Sequence, residues 1–497
     1  MLEEGRNVWC VCRADKFSLI VDAQNYFRHA ADVMRSSQTA LMMVGWDVDP
    51  RISLIPDRDR RRDKHRLSDF MCELVEETSD LAVWILRWRG SAIPALFRGV
   101  SIISLIKWWW KPRITLRMDG AHPLGATHHQ KLIVADDSFA FCGGIDMTKG
   151  RWDTREHLDE DLRRHSPHGA RLGPWHDATA AVTGPAAQKL GEICRERWQR
   201  SGAEPPPTAE PHDYHWPDAL PVQFENIEIG IARTYPMYGD RDGIYEIEQL
   251  YLDMIASAKR YIYAESQYFA SRAIAEAIMQ RLKEDDPPEI VVVNPVTAEG
   301  WLEPVAMDSA RNRLMTALDG ADDKKRLRLY HPLTEGGEPI YVHAKIMIVD
   351  DRLFRVGSSN LNNRSMRLDS ECDMVIDLGE DGATSQKAKL RATVVDLLAE
   401  HLDVAIDRVD DLWTETGSLI ETVETLRGEH RTLKPYERPE LSAIEKGIAD
   451  TELLDPEGAE EMFEPLARRG LFRSRLKRAL VWARGKASRG KDRFSGR

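Results

Sequence analysis

The chain has 497 residues, with 69 Lys and Arg against 81 Asp and Glu, for a net charge of −12. That length exceeds what one hydrophobic core usually serves, so two units or a fused duplication are expected. An acidic body disfavours a polyanionic partner, so no nucleic acid is expected, and no apolar run is long enough to cross a bilayer. Cys10, Cys12, Cys72, Cys142, Cys194 and Cys372 are scattered with no C-x2-C pair, which fits a reduced fold better than a disulfide framework or a zinc site.

In chain order, Met1-Leu2-Glu3-Glu4-Gly5-Arg6 starts acidic and leads into no apolar region. No secretory signal is expected there, and the location implied is cytoplasmic or peripheral on membranes. Leu41 to Trp46 reads as a continuous apolar strand after a helical stretch. The apolar stretch from Gly99 to Lys111 is closed by Trp108, Trp109 and Trp110 between Lys107 and Lys111, and reads either as an interfacial patch or as a helix buried against a sheet. Residues 201–222 carry Pro205, Pro206, Pro207, Pro211, Pro217 and Pro221 among polar residues, a stiff extended linker that sets a first half at 1–200 apart from a second at 223–430. Tyr261 to Ala264 and Glu289 to Val293 are further short strands. Continuous apolar strands between helices predict an α/β fold with a mixed or parallel sheet covered on both faces. The extension at 431–497 ends in Leu466–Arg497, with twelve Lys or Arg and one acid, which leaves 57 basic and 80 acidic residues, a balance of −23, elsewhere. Leu471, Phe472, Leu476, Ala479, Leu480 and Ala483 recur there at helical spacing, making a basic amphipathic segment suited to an anionic membrane surface or to the acidic body of its own chain.

One pattern appears twice. His129-Gln130-Lys131-Leu132-Ile133-Val134-Ala135-Asp136 returns as His343-Ala344-Lys345-Ile346-Met347-Ile348-Val349-Asp350. Each copy places His and Lys two residues apart at the start of four apolar residues, so both side chains address one face. Gly143-Gly144-Ile145-Asp146 and Gly357-Ser358-Ser359-Asn360 follow at equal distance, and small residues there let backbone approach an anion. Two imidazoles can share the work of nucleophile and general acid while two ammonium groups hold a phosphate, which points to phosphoryl or phosphatidyl transfer without a metal or other cofactor.

The duplicated His-x-Lys-x4-Asp pattern resembles the phospholipase D superfamily. The resemblance extends to Gly150-Arg151-Trp152-Asp153, Pro174-Trp175-His176-Asp177, Gly184-Pro185 and Tyr263-Ala264-Glu265-Ser266-Gln267-Tyr268-Phe269, which look like the larger phosphatidylcholine-hydrolysing members. Ser266 departs from it, since many relatives carry Asn there. The resemblance implies two pseudo-symmetric α/β sandwich halves sharing one active site at their interface. It also implies a phospholipase D that hydrolyses the distal phosphodiester of a phospholipid to phosphatidate through a phosphohistidine, with alcohols competing for water in transphosphatidylation. A phosphatidyl transferase of the cardiolipin synthase kind and a nucleic-acid phosphodiesterase are the alternative activities within the same superfamily.

Roles follow on that basis. His129 is expected as nucleophile and His343 as general acid and base, although the chemistry alone permits the reverse. Lys131 and Lys345 would contact the non-bridging oxygens, with Asn360 and Ser358 adding hydrogen bonds to the substrate phosphate. Asp136 and Asp350 complete the catalytic motifs, and a turn-capping aspartate is also the plain expectation at such positions. Glu371 is expected to orient the histidine of the second half and Asp153 that of the first. Glu265 and Gln267 are placed at or near the site, or as a buried structural pair. Asp146 is given a structural or water-binding role, and His128 packing or solvent exposure. His165, His168 and His176 show no metal-ligand spacing.

Overall fold

The computed structural model describes residues 1–58, 66–91, 102–297 and 303–437. The basic segment at 466–497 and the start of the 99–111 stretch lie outside the described residues.

The repeat in sequence is a repeat in topology. The first half supplies β1 (Cys10–Val21), β2 (Ala40–Gly45), β3 (Ala82–Trp88), β4 (Ile114–Asp119), β5 (Leu132–Ala135), β6 (Phe139–Gly143), β7 (Trp175–His176) and β8 (Ala178–Thr183). The second supplies β9 (Phe224–Tyr235), β10 (Ile244–Tyr245), β11 (Tyr261–Glu265), β12 (Glu289–Val293), β13 (Leu327–Leu333), β14 (Tyr341–Val342), β15 (Ile346–Val349), β16 (Leu353–Gly357), β17 (Glu371–Asp377) and β18 (Thr432–Pro435). Read outward from the middle, one side of the sheet runs β1-β8-β6-β5-β2-β3-β4 and the other β9-β17-β16-β15-β11-β12-β13-β18. The sides join where β1 pairs antiparallel with β9, so the two halves share one mixed sheet.

Each motif strand is apolar throughout because both of its faces are covered. Leu132 and Val134 of β5 and Ile346 and Ile348 of β15 enter one core that spans both halves, on the side covered by the helices Pro185–Arg200 and Thr384–Leu402. The alternate residues face away from it. Ile133 and Ala135 pack with the helix Ala23–Ser36 in a core belonging to the first half, while Met347 and Val349 pack with the helix Glu246–Ser257 in one belonging to the second.

The proline-rich connection forms no helix or strand between residues 204 and 223. It is strapped down by Tyr214 and Trp216, whose rings lie 5.6 and 5.3 Å from that of Phe139, and by Leu220, which is also buried. In the helix Ile102–Trp109, Trp108 is buried with its indole N–H on the Ser68 carbonyl, whereas Trp109 and the following Trp110 are 80% and 73% exposed. The two readings of that stretch therefore divide by residue. No helix among the described residues is long and apolar enough to cross a membrane.

Candidate active site

At the far end of each motif strand stands the motif aspartate. Asp136 (φ 50°) and Asp350 (φ 56°) hold left-handed turns. The Asp136 carboxylate accepts the N–H groups of Gln38, Thr39 and Ala40 at 2.7–2.8 Å. Asp350 takes those of Lys259, Arg260 and Tyr261 at 2.6–2.8 Å. Both carboxylates are thus saturated by the loops entering β2 and β11, which fixes the motif strands against their neighbours. Their inclusion among the catalytic groups is corrected on this ground: they are turn caps.

The other end of each motif meets its counterpart. His129 and His343 face each other with ring centroids 6.4 Å apart. The His129 Nδ1 lies 3.0 Å from both oxygens of Glu371, and the His343 Nδ1 lies 2.7 Å from Asp177 Oδ2. The backbone repeats this crossing, since the His129 N–H donates to the Ser370 carbonyl and the His343 N–H to that of His176. Every histidine is therefore gripped by the half to which it does not belong. This corrects two expectations at once. Glu371 serves the histidine of the opposite half, and the second orienting acid is Asp177, not Asp153. Asp153 is buried elsewhere, accepting from His157, Arg164 and the Trp175 N–H at 2.8–3.1 Å.

Asp177 was within reach of a symmetry argument. Gly143 pairs with Thr179 and Gly357 with Asp373, and the orienting acid stands two residues before each partner. Gly144 explains its own small size: a Cβ there would sit 2.2 Å from Asp177 Oδ1 and 3.2 Å from the His343 carbonyl oxygen. A side chain at that position would push the acid off its histidine.

Both lysines turn back on their motifs. Lys131 Nζ donates to the His129 carbonyl at 2.7 Å and pairs with Asp146 at 3.3 Å, and Lys345 Nζ donates to the His343 carbonyl. Asp146 also accepts the Trp46 N–H at 3.0 Å, consistent with the structural role expected of it. Asn360, its counterpart, reaches Gln267 at 3.4 Å, and its Oδ1 is buried without a hydrogen bond. Ser358 is already committed: its hydroxyl donates to Glu371 at 2.5 Å and accepts the Cys372 N–H. Together with Ser365, which donates to the same carboxylate at 2.7 Å, it holds Glu371 in place, so its expected contact with a phosphate is corrected to support of the acid.

The electrostatics follow from burial. His343 is 3% exposed, and Lys131 and Lys345 are 5% and 0% exposed. Burial first, and the two ammonium groups next, hold the His129 imidazole well below its ordinary value. Burial, Lys345 and Arg151 do the same to His343. Burial pushes the Glu371 carboxyl up to about 7 against the pull of Lys131 and the two serines. Asp177 is raised by burial also, with Lys345 opposing. The Lys345 ammonium is pushed down to about 7, chiefly by burial, with Asp177 resisting and Lys131 adding to the shift. Two neutral imidazoles, each donating Nδ1–H to a carboxylate, keep their lone pairs on Nε2. That arrangement suits one nucleophile and one proton carrier on a single anionic phosphorus centre.

The remaining residues lie around this centre. Gln267 donates to the hydroxyls of Tyr268 and Tyr341, and Tyr341 stacks on Trp175, whose ring is 5.2 Å from that of His343. Glu265 points away from Gln267, accepting from His176, His401 and Tyr263 at 2.6–3.0 Å, so the two form no pair. Of the two roles expected for His128 the buried, packed one is seen: it bonds Ser370 at 2.6 Å and lies 3.2 Å from Asp119.

Comparison with known proteins agrees with this geometry. Residues 115–214 match the family model described as phospholipase D, and residues 251–389 match that described as cardiolipin synthase, PLD-like domain. The chain is 24% identical to phospholipase D1 of Schizosaccharomyces pombe over 81% of its own length and 37% of that protein's. It is 25% identical to phospholipase D A of Dictyostelium discoideum over 72% and 32% of the two lengths. With phospholipase D alpha 1 of Cynara cardunculus the identity is 27% over 48% and 44%. The chain thus spans between 32% and 44% of the length of these relatives. In fold it is similar to the phosphatidylserine synthase of Haemophilus influenzae, with a TM-score of 0.55 at 12% identity, over 83% of this chain and 95% of that one. Two motif copies, two family models matching at 115–214 and 251–389, and phospholipase D relatives along most of the chain all support the resemblance to the phospholipase D superfamily.

Proposed function

We propose that this protein is a phosphodiesterase of the phospholipase D type, cleaving the distal phosphodiester of a glycerophospholipid to phosphatidate and a headgroup alcohol. The observation that carries the reading is the facing pair His129 and His343, each with Nδ1 held by the other half's acid and a buried lysine beside it. His129 Nε2 attacks phosphorus, an N–P bond forms, and the bond from phosphorus to the headgroup oxygen breaks as His343 hands that oxygen a proton. The substrate anion, added to Asp177, supplies the negative charge that lets His343 carry this proton. His343 then takes a proton from water, whose oxygen attacks phosphorus and releases His129. Lys131 and Lys345 stabilise the charge that builds on the non-bridging oxygens, with Asn360 nearby. A primary alcohol in place of water gives transphosphatidylation by the same steps. Trp109 and Trp110, exposed beside Lys107 and Lys111, suit contact with a membrane surface.

Product analysis on mixed phospholipid vesicles containing a little primary alcohol tests this. Phosphatidate and phosphatidyl-alcohol, both absent with His129→Ala, are expected. Lipid joined to lipid in place of phosphatidate would give the transferase reading suggested by the cardiolipin synthase match over 251–389. No lipid product from folded protein would overturn the proposal.

A further inference from the structure

Beside the active site lies a second cluster that the reaction does not use. The side chains of Asp22, His157 and His176 are fully buried and that of Glu400 is 1% exposed. One donor atom from each of the four lies within 4.8 Å of the other three. His176 Nδ1 is 2.8 Å from Glu400 Oε1 and 3.4 Å from Asp22 Oδ1. His157 Nε2 is 3.2 Å from Glu400 Oε1 and 3.6 Å from Asp22 Oδ2. A tetrahedral ion with bonds of about 2.0–2.1 Å has donor-to-donor edges of about 3.3–3.4 Å, which these contacts bracket. Asp22 meets His176 through Oδ1 and His157 through Oδ2, both at distances too long for good hydrogen bonds. Asp22 Oδ2 makes no hydrogen bond among the described residues.

The nitrogens facing away from the cluster carry the second mark of a metal centre. His157 Nδ1 donates to Asp153 at 2.9 Å, and His176 Nε2 donates to Glu265 at 2.8 Å. Those acids are themselves fixed, Asp153 by Arg164 and the Trp175 N–H, Glu265 by Tyr263 and His401. With an ion bound, the carboxylate behind each imidazole would set the tautomer and leave the inner nitrogen its lone pair for the metal. From these contacts we propose that Asp22, His157, His176 and Glu400 form a structural site for a divalent transition ion of the Zn2+ class. Two neutral imidazoles and two carboxylates match its preference for nitrogen and oxygen in a closed tetrahedral shell.

Proton balance makes the idea testable. Without an ion, each imidazole must present N–H at both nitrogens to meet acids on both sides, so two protons occupy the centre. One Zn2+ displaces both and conserves charge, and they leave to buffer. The site ties the second half, through Glu400 on the helix Thr384–Leu402, to the first-half segment that holds His343: Asp22 and Asp177 exchange hydrogen bonds at 2.8 and 3.2 Å, and the His176 carbonyl accepts the His343 N–H. The ion would thus position the acid-base histidine without touching substrate, and the phosphoryl chemistry proposed above does not depend on it.

The experiment is metal analysis of the full chain, stripped with chelator, equilibrated with zinc chloride and desalted. About one Zn per chain is expected, falling to about a fifth or less in His157→Gln and in Glu400→Gln and unchanged in His215→Gln, an exposed histidine elsewhere. Calorimetry in buffers of different ionisation enthalpy should show about two protons released per Zn. Should the variants not fold, X-ray absorption on the native protein decides. A four-coordinate nitrogen and oxygen shell with two imidazoles supports the site, and sulfur or a six-coordinate shell overturns it. Folded native protein retaining less than about a tenth of an equivalent, or both folded variants retaining a full one, overturns it as well.

Discussion

The two lysines stand at equivalent positions, yet their surroundings differ by one charge. Lys131 is paired with Asp146, whereas Lys345 has no carboxylate within ion-pair distance among the described residues, and the position equivalent to Asp146 is the neutral Asn360. The pair at Lys131 neutralises a cation before substrate arrives. Lys345, less compensated, has its ammonium lowered to about 7 and is the group with most to gain from a bound phosphate. Pseudo-symmetry of fold therefore does not entail symmetry of charge: the lysine of the first half is paired with a carboxylate and its counterpart in the second is not, among the described residues.

The largest effect expected is on the histidines. His129→Ala and His343→Ala should each lower kcat by about 10⁴-fold or more, since the pair acts as a unit. A phosphodiester with a nitrophenol leaving group separates them, because it needs no protonation: His343→Ala should still release a burst of nitrophenol and His129→Ala none. A burst from His129→Ala alone would exchange the two roles. Next come the crossed acids, where Glu371→Gln and Asp177→Asn should each cost about 10²–10⁴-fold in kcat by disturbing tautomer and imidazolium together. Similar losses would mark the two grips as equivalent, and a negligible loss in one would show a one-sided site.

Asn360→Asp gives the second half the charge of the first and should raise KM about tenfold through repulsion of the phosphate, while Asp146→Asn should change it less. The pH profile sharpens the same contrast. Glu371, raised to about 7, loses its charge as pH falls through that value, and Lys345, lowered to about 7, loses its charge as pH rises through it. The kcat/KM profile should then be a bell centred near neutrality, with an acid limb absent in Glu371→Gln and an alkaline limb absent in Lys345→Arg. The smallest effect on turnover belongs to the turn caps. Asp136→Ala should lower unfolding free energy by about 1–3 kcal/mol in urea titration, and Asp350→Ala by less, because the backbone groups it serves at Lys259 and Arg260 are exposed and water can replace it.

What the sequence disclosed and what it withheld separate by range along the chain. The motif strands, the small residues after them and the apolar run at 289–293 were legible because each depends on neighbours a few positions away. That Asp136 and Asp350 cap turns was expected from residue type, but the loops they hold, 96–98 and 89–91 residues away, were not legible. The crossed grip was not, because its partners stand 242 and 166 residues apart. The cluster of Asp22, His157, His176 and Glu400 escaped similarly, since no two of its members have the short spacing by which ligand sets announce themselves. The tryptophan run at 108–110 was ambiguous as a unit and resolves only when helical rotation assigns each ring a side.

Crossing has a consequence for how such a chain can change over generations. Because the acid that steadies each histidine is written in the other copy of the repeat, a loss in one copy is felt at the histidine of the other. Neither copy is a spare that can drift while its twin preserves the reaction, and duplication here confers no redundancy.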